Sequence, residues 1–292
     1  MAKLISENVT IRVILALGII GLLASGIQPV HGQQSSSQLI SIALEGGYAN
    51  DWSFSPDLSS DGRYVVFASR ASNLIEQDTN PSSDIFLRDQ ITGETILISI
   101  NSHGTQSNGW SNQPRISVNA RYVTFTSLAN NLPSKYAMPD TNGLADIYLH
   151  DRNQRITERV SLSAEGKEIH GWSDEPAISG DGRYIVYAST ASDIVRNDKN
   201  QSKDIFLHDR KDGSTRFISI SSAGIQANGD SYRPIISASG RYILFLSNAS
   251  NLTPEGLPGV FIHDQVTYHT SRVPIPDTST NSNLNSISRE IG

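Results

Sequence analysis

Three stretches of this chain carry oxygen-bearing side chains at alternate places, as a loop that wraps a hard cation would. They are Asp78, Asn80 and Asp84; Asp140, Asn142 and Asp146; and Asp198, Asn200 and Asp204. Carboxylate and amide oxygens in a flexible loop suit Ca2+ better than the tight octahedron of Mg2+. The second stretch has the best form, because Gly143 supplies a turn after Asn142. Pro81 in the first stretch and Lys199 and Lys203 in the third depart from that form. The same residues have a plainer reading, since Asp and Asn side chains cap turns by bonding their own backbone. Calcium is the one cofactor for which the sequence offers ligands.

Aromatic residues form the second constellation. Trp52, Trp110 and Trp172 each stand four residues before a proline (Pro56, Pro114 and Pro176), and a serine follows each of them. Rings at equivalent places could line one face and stack on sugars or peptides. They could equally fill the joint between successive structural units. His170, with Lys167, Glu168 and Glu175, departs from the pattern of the other units.

Catalytic signatures are few. Cysteine is absent, which removes disulfides, thiolate metal sites and a cysteine nucleophile. No Gly-x-Ser-x-Gly elbow, phosphate loop or zinc-spaced histidine pair occurs.

The elements that must position these residues follow from a long repeat. Ser59-Ser60-Asp61-Gly62-Arg63-Tyr64-Val65-Val66-Phe67 returns as Ser117 to Phe125, Ser179 to Tyr187 and Ser237 to Phe245. The arginines Arg63, Arg121, Arg183 and Arg241 are 58, 62 and 58 residues apart. A fixed period of this length marks one supersecondary unit stacked on copies of itself. Each unit reads as four short strands. Strand A is expected at 56–59, 114–117, 176–179 and 234–237. Asp61-Gly62 and Asp181-Gly182 are hairpin turns into strand B. Strand B is apolar on both faces, so both faces are covered. Strand C runs Asp84-Ile85-Phe86-Leu87-Arg88-Asp89, with copies at 146–151, 204–209 and 260–264. Strand D is expected at 97–100, 159–162 and 217–220. The B–C connections span 70–83, 128–145, 190–203 and 248–258, and four extra residues in the second explain the spacing of 62.

Four antiparallel strands per unit predict an all-β fold, a β-propeller of four blades over residues 38–275. Two segments compete for the last strand place. Leu39-Ile40-Ser41-Ile42 matches strand D and is expected to close the ring from the N-terminal side. Arg272-Val273-Pro274-Ile275 also looks like a strand D, though Pro274 lacks a ladder donor and suits only an edge.

The pattern Ser-x-Asp-Gly-Arg-Tyr followed by Asp-Ile-Phe-Leu-x-Asp resembles the TolB-type, WD40-like (PD40) β-propeller repeat. The resemblance spans nearly all of 38–275 and implies the fold rather than an activity. The stretch Asp140-x-Asn142-Gly143-x-x-Asp146-Ile147 is also similar to the tail of the calcium loops in integrin-type propeller repeats.

At the N-terminus, Lys3 and Arg12 precede an apolar run from Val13 to Ala24, and Val30-His31-Gly32 has the form of a cleavage site. This predicts a signal peptide over 1–32 and a secreted or periplasmic product. Cleavage removes Lys3, Arg12 and Glu7. The 23 basic and 29 acidic residues become 21 and 28, a net of −7. An acidic surface gives no electrostatic reason to bind nucleic acid or anionic membrane. Residues 276–292 are Ser/Asn/Thr-rich and read as a disordered polar tail.

Residues repeated in every blade serve the blade, whereas a catalytic site needs one set that breaks the repeat. The expected function is therefore a secreted, non-enzymatic propeller that binds protein or glycan. The alternatives are a polysaccharide-active hydrolase or lyase, and a calcium-braced surface or adhesion module.

Overall fold

The computed structural model describes residues 37–132 and 140–274. The expected signal peptide, the polar tail and residues 133–139 of the second B–C connection lie outside these residues.

The described residues form four sheets, each of four antiparallel strands in chain order. Blade one is β1 (Ser53–Leu58), β2 (Tyr64–Ser69), β3 (Asp84–Asp89) and β4 (Thr95–Leu97). Blade two is β5 (Ser111–Ile116), β6 (Tyr122–Ser127), β7 (Asp146–Asp151) and β8 (Ile156–Arg159). Blade three is β9 (Ser173–Ile178), β10 (Tyr184–Ser189), β11 (Asp204–Asp209) and β12 (Ser214–Phe217). Blade four is β13 (Ser231–Ile236), β14 (Tyr242–Ser247), β15 (Gly259–Asp264) and β16 (His269–Arg272). The all-β propeller architecture of four four-stranded blades expected from the repeat is what the described residues adopt, apart from the closure of the ring.

The middle strands carry the core because both their faces are apolar. In each blade one aromatic on the second strand stacks on one of the third: Phe67 on Phe86, Phe125 on Tyr148, Tyr187 on Phe206 and Phe245 on Phe261, at 5.8–6.0 Å between centroids. These rings fill the space between blades, where burying an aromatic side chain is worth several kcal/mol.

The end of each blade that holds the A–B and C–D turns is clamped by a repeated ion pair. Arg63, Arg121, Arg183 and Arg241 bond the carboxylates of Asp89, Asp151, Asp209 and Asp264 at 2.6–2.7 Å. Each guanidinium also lies over the ring of the following tyrosine. Both arms of the guanidinium are used, which makes the pair directional.

Three expectations are corrected. Residues 39–42 join none of the sheets. Ile42 pairs only locally with Tyr48, and β16 is the outer strand of blade four, so no N-terminal strand closes the ring among the described residues. The reason is that Val273 N already donates to Val260 O at 2.8 Å, the place that Ile98 holds on Ile85. The D strands lie two to three residues earlier than expected. Ile98, Val160 and Ile218, which look like ladder residues, are instead buried in the joints between blades. The A strands begin three residues earlier, at Ser53, Ser111, Ser173 and Ser231. Each contains a bulge that the sequence pattern hid.

The first strand of each following blade packs on the first three strands of the blade before it. This joins blade one to two, two to three and three to four, and no block of comparable size joins four to one. The described blades form an arc.

Candidate functional site

The inner strands, the first of each blade, hold the positions where the repeat breaks. Their bulges place Ser55, Gln113, Glu175 and Arg233 at φ between 51° and 55°. Non-glycine residues rarely adopt this left-handed conformation, and its cost is tolerated where surrounding bonds enforce it. Those bonds run from blade to blade. Glu175 N donates to Gln113 Oε1 at 3.0 Å, and Arg233 N donates to Glu175 Oε2 at 2.7 Å. Thr126 Oγ1 adds a bond to the same Gln113 oxygen at 3.2 Å. One backbone position therefore carries a hydroxyl, an amide, a carboxylate and a guanidinium in four successive blades.

Charge is concentrated beside the third of these residues. Lys203 Nζ lies 2.6 Å from Asp174 and 3.8 Å from Glu175. Burial raises the carboxyl of Asp174 above its ordinary range, partly opposed by Lys203. On blade one, burial likewise raises Asp57, although its carboxylate accepts Ile116 N at 2.9 Å.

The tryptophans stand at the entry to these strands. Their carbonyls are structural acceptors, bonded by Ser69, Ser127 and Ser189 hydroxyls, and Asp230 takes the same role through Ser247. Their rings are not packed away. Trp52 is 81% exposed, Trp172 is 37% exposed and Trp110 is half-buried. Each tryptophan immediately precedes the first strand of its blade and stands three residues before the bulge residue of that strand.

The expected calcium ligands lie at the same end of the blades, in the joints between them. Asp84 is buried and accepts four side-chain bonds. Ser99 donates at 2.5 Å, Ser107 at 2.6 Å, Gln106 at 2.7 Å and Asn80 at 3.0 Å. Gln106 also bridges to Asp78 at 2.8 Å. Blade three repeats the arrangement. Asp204 accepts Ser219, Asn200 and Gln226, and Gln226 bridges to Asp198 at 2.7 Å. Asn80, Asn142 and Asn200 each accept a backbone N–H two residues on, the turn-capping geometry.

Blade two solves the same problem with charge. Arg159 Nη1 sits 3.0 Å from Asp146, 3.3 Å from Glu168 and 4.0 Å from Asp140. It occupies the centre that the calcium expectation gave to a cation. Arg159 stands where blades one and three have Leu97 and Phe217, and Glu168 stands where they have Gln106 and Gln226. Burial pushes Asp146 and Asp204 up to about 6, against the bonds they accept. Among the described residues no group of three or more His, Cys, Asp or Glu side chains is placed to hold a metal ion.

Sequence reasoning singled out His170 without a partner. Its Nδ1 lies 2.7 Å from Asp193 Oδ2, and its own N–H donates to Asp193 Oδ1. The pair takes the place of an asparagine clasp in the other blades, in which Asn50, Asn108 and Asn228 N–H groups donate to Asn73, Asn131 and Asn251. Asp193 raises the imidazole of His170 above its ordinary value. Gln106, Gln226 and Arg159 escaped notice because they lie 13 to 22 residues past the aspartates they serve.

No protein-family model matches the chain, and no curated protein sequence does. Solved structures do. TolB from Acinetobacter baumannii is 19% identical with a TM-score of 0.47, over 76% of this chain and 43% of that one. An oligogalacturonate lyase in complex with manganese is 15% identical with a TM-score of 0.49, over 80% of this chain and 56% of that one. The tricorn protease is 16% identical with a TM-score of 0.45, over 75% and 22%. The chain thus spans about half the length, or less, of these proteins, and the likeness concerns the fold alone.

Proposed function

We propose that the protein is a secreted binding or scaffold domain whose ligand, a protein segment or a glycan, lies along the inner rim. The observation that carries this reading is the coincidence of exposed rings and repeat-breaking polar groups. Trp52, Trp110 and Trp172 alternate along the arc with Ser55, Gln113, Glu175 and Arg233. Rings supply stacking area at low entropic cost, and polar groups that differ from blade to blade give direction to an extended ligand. The bulge bonds hold these groups in place before a ligand arrives, which lowers the cost of binding.

The chain contains three tryptophans, each just before the first strand of a blade, so its intrinsic fluorescence reports on the proposed site. Glycan and peptide arrays identify a binder, and titration of that binder should shift or quench the emission. Trp52→Ala and Trp172→Ala should each weaken binding at least about tenfold, equal to about 1.4 kcal/mol. Unchanged affinity in both variants would remove the rim from the binding site. Release of shortened products from an array glycan would replace the binding reading with the hydrolase or lyase one. The secreted location is tested separately, since mature material should begin at or near Gln33.

A further inference from the structure

The two ends of the arc leave uncovered the faces that are buried at the junctions within it. Within the chain, the second and third strands of each blade offer a trailing face, and the next blade covers it with its first strand and A–B turn. Val66, Ala68, Ile85 and Leu87 of blade one are fully buried in this way. Their counterparts in blade four, Leu244, Leu246, Val260 and Ile262, are only half-buried, and Tyr242 is exposed. At the other end, Leu58 of blade one is 46% exposed where Ile116 of blade two is 7%. The turn glycines agree. A methyl group on Gly182 or Gly240 would strike the Tyr122 or Tyr184 ring of the preceding blade, whereas nothing lies within 4 Å of Gly62.

A ladder of backbone bonds shows the same polarity. Ser60 N donates to Val118 O, Val118 N to Gly180 O and Gly180 N to Ala238 O, at 3.4, 3.0 and 2.9 Å. Among the described residues no bond returns from Ala238 to Ser60.

Residues 40–49 supply the joint of a further junction. Ile40 and Ala49 pack on Val65, Phe67, Leu74 and Phe86 of blade one, as Ile98 packs on blade two. Polar partners are lost from this joint and from blade four together. Gly259 stands where Asp84, Asp146 and Asp204 stand, and Tyr48, 82% exposed, stands where Gln106, Glu168 and Gln226 stand. Arg272 lies against the Gly259 backbone, where it would face an incoming Tyr48 ring.

We propose that blade four of one copy docks on blade one of a second copy, head to tail, and that two such junctions close a ring of two chains and eight blades. A second copy of this chain presents both complementary faces. Eight is also the upper end of the usual blade number, so two copies complete the ring. Ile40 and Val273 fall at the same place in the repeat. Val273 is held by Val260, so Leu39 and Ile40, which belong to no sheet, give way on docking.

The test is the mass of the full chain in solution, by light scattering or sedimentation. The expected value is twice that of one chain, constant across a dilution series above the dissociation constant. Leu58→Glu and Leu244→Glu change exposed or half-buried sheet positions and should each give monomers. An equal mixture of the two variants retains one unaltered pair of faces and should recover dimers. A monomeric unaltered protein would overturn the proposal, and would point to closure within one chain or to cover by residues 275–292. Dimers lost in only one variant, or not regained on mixing, would also overturn it, because they indicate a symmetric face-to-face contact. Masses that climb with concentration would overturn the closed ring.

Discussion

At the scale of single residues, the joints show three blades solving one electrostatic problem in two ways. Blades one and three use two aspartates and a bridging glutamine. Blade two uses three carboxylates and Arg159, which leaves the same net charge. Arg159→Leu should therefore be severe, costing about 3–5 kcal/mol, because it leaves buried carboxylates uncompensated. The double variant Arg159→Leu with Glu168→Gln recreates the pattern of Leu97 and Gln106, and should recover most of that loss in urea unfolding. A double variant no more stable than the single one would sink this account. The same logic bears on calcium. The metal should leave the melting midpoint of the unaltered protein in place and raise that of Arg159→Leu, in which the carboxylates stand without a cation. A rise in the unaltered protein, abolished by Asp140→Ala or Asp146→Ala, would restore the calcium loop. The aspartates were legible in the sequence as a spaced set. Their partners were not, because a spacing pattern along one loop carries no information about donors that arrive from the next joint.

At the scale of elements, the hairpin turns were legible and the outer strands were not. Asp61-Gly62 and Asp181-Gly182 announce themselves because the turn needs positive φ, and Gly62 and Gly182 adopt 69° and 75°. The D strands are short and polar, as in Ser214-Thr215-Arg216-Phe217. The eye is drawn instead to the apolar joint residues just beyond them. The bulges in the A strands were invisible because Gln113, Glu175 and Arg233 are not residues that advertise a left-handed backbone. Their conformation is imposed by bonds from neighbouring blades. The turns allow a comparison between blades. Gly62→Ala pays only the backbone cost of about 1–2 kcal/mol, while Gly182→Ala adds a methyl 2.1 Å from the Tyr122 ring and about 1–3 kcal/mol of overpacking. Equal losses in thermal unfolding would mean that the A–B turn does not touch the preceding blade.

For the whole molecule, the period of the repeat made blade number legible, whereas the fate of the two chain ends was not. Leu39-Ile40-Ser41-Ile42 resembles Leu97-Ile98-Ser99-Ile100 because both are joints that dress a following blade, and a joint does not by itself say where the preceding blade is. Acid stability is likewise a property of the set of blades. Burial lowers His150 and His263 to about 4 from an ordinary value near 6.5. Both are held by a threonine hydroxyl, Thr157 and Thr270. The unfolded chain binds more protons than the folded one between those values, so these groups withdraw stability as pH falls from 6.5 to 4. Asp146 and Asp204, raised to about 6 by burial, act in the opposite sense. The folded state takes up their protons first, so stability is returned as pH falls from 6 towards 3.8. Burial also raises Asp57, Asp84, Asp140 and Asp174 and lowers His208, so the buried carboxylates oppose the buried histidines. The urea midpoint is then expected to stay nearly level from pH 7 to about 4.5. Below about 4 the balance ends, because Asp89, Asp151, Asp209 and Asp264 are held low chiefly by their arginines, and their contribution disappears as acid neutralises them in all four blades. A steep drop already between pH 6.5 and 5, with imidazole NMR signals titrating near 6.5, would show that the strand C histidines are reached by solvent and that the blades are looser than the buried threonine bonds imply.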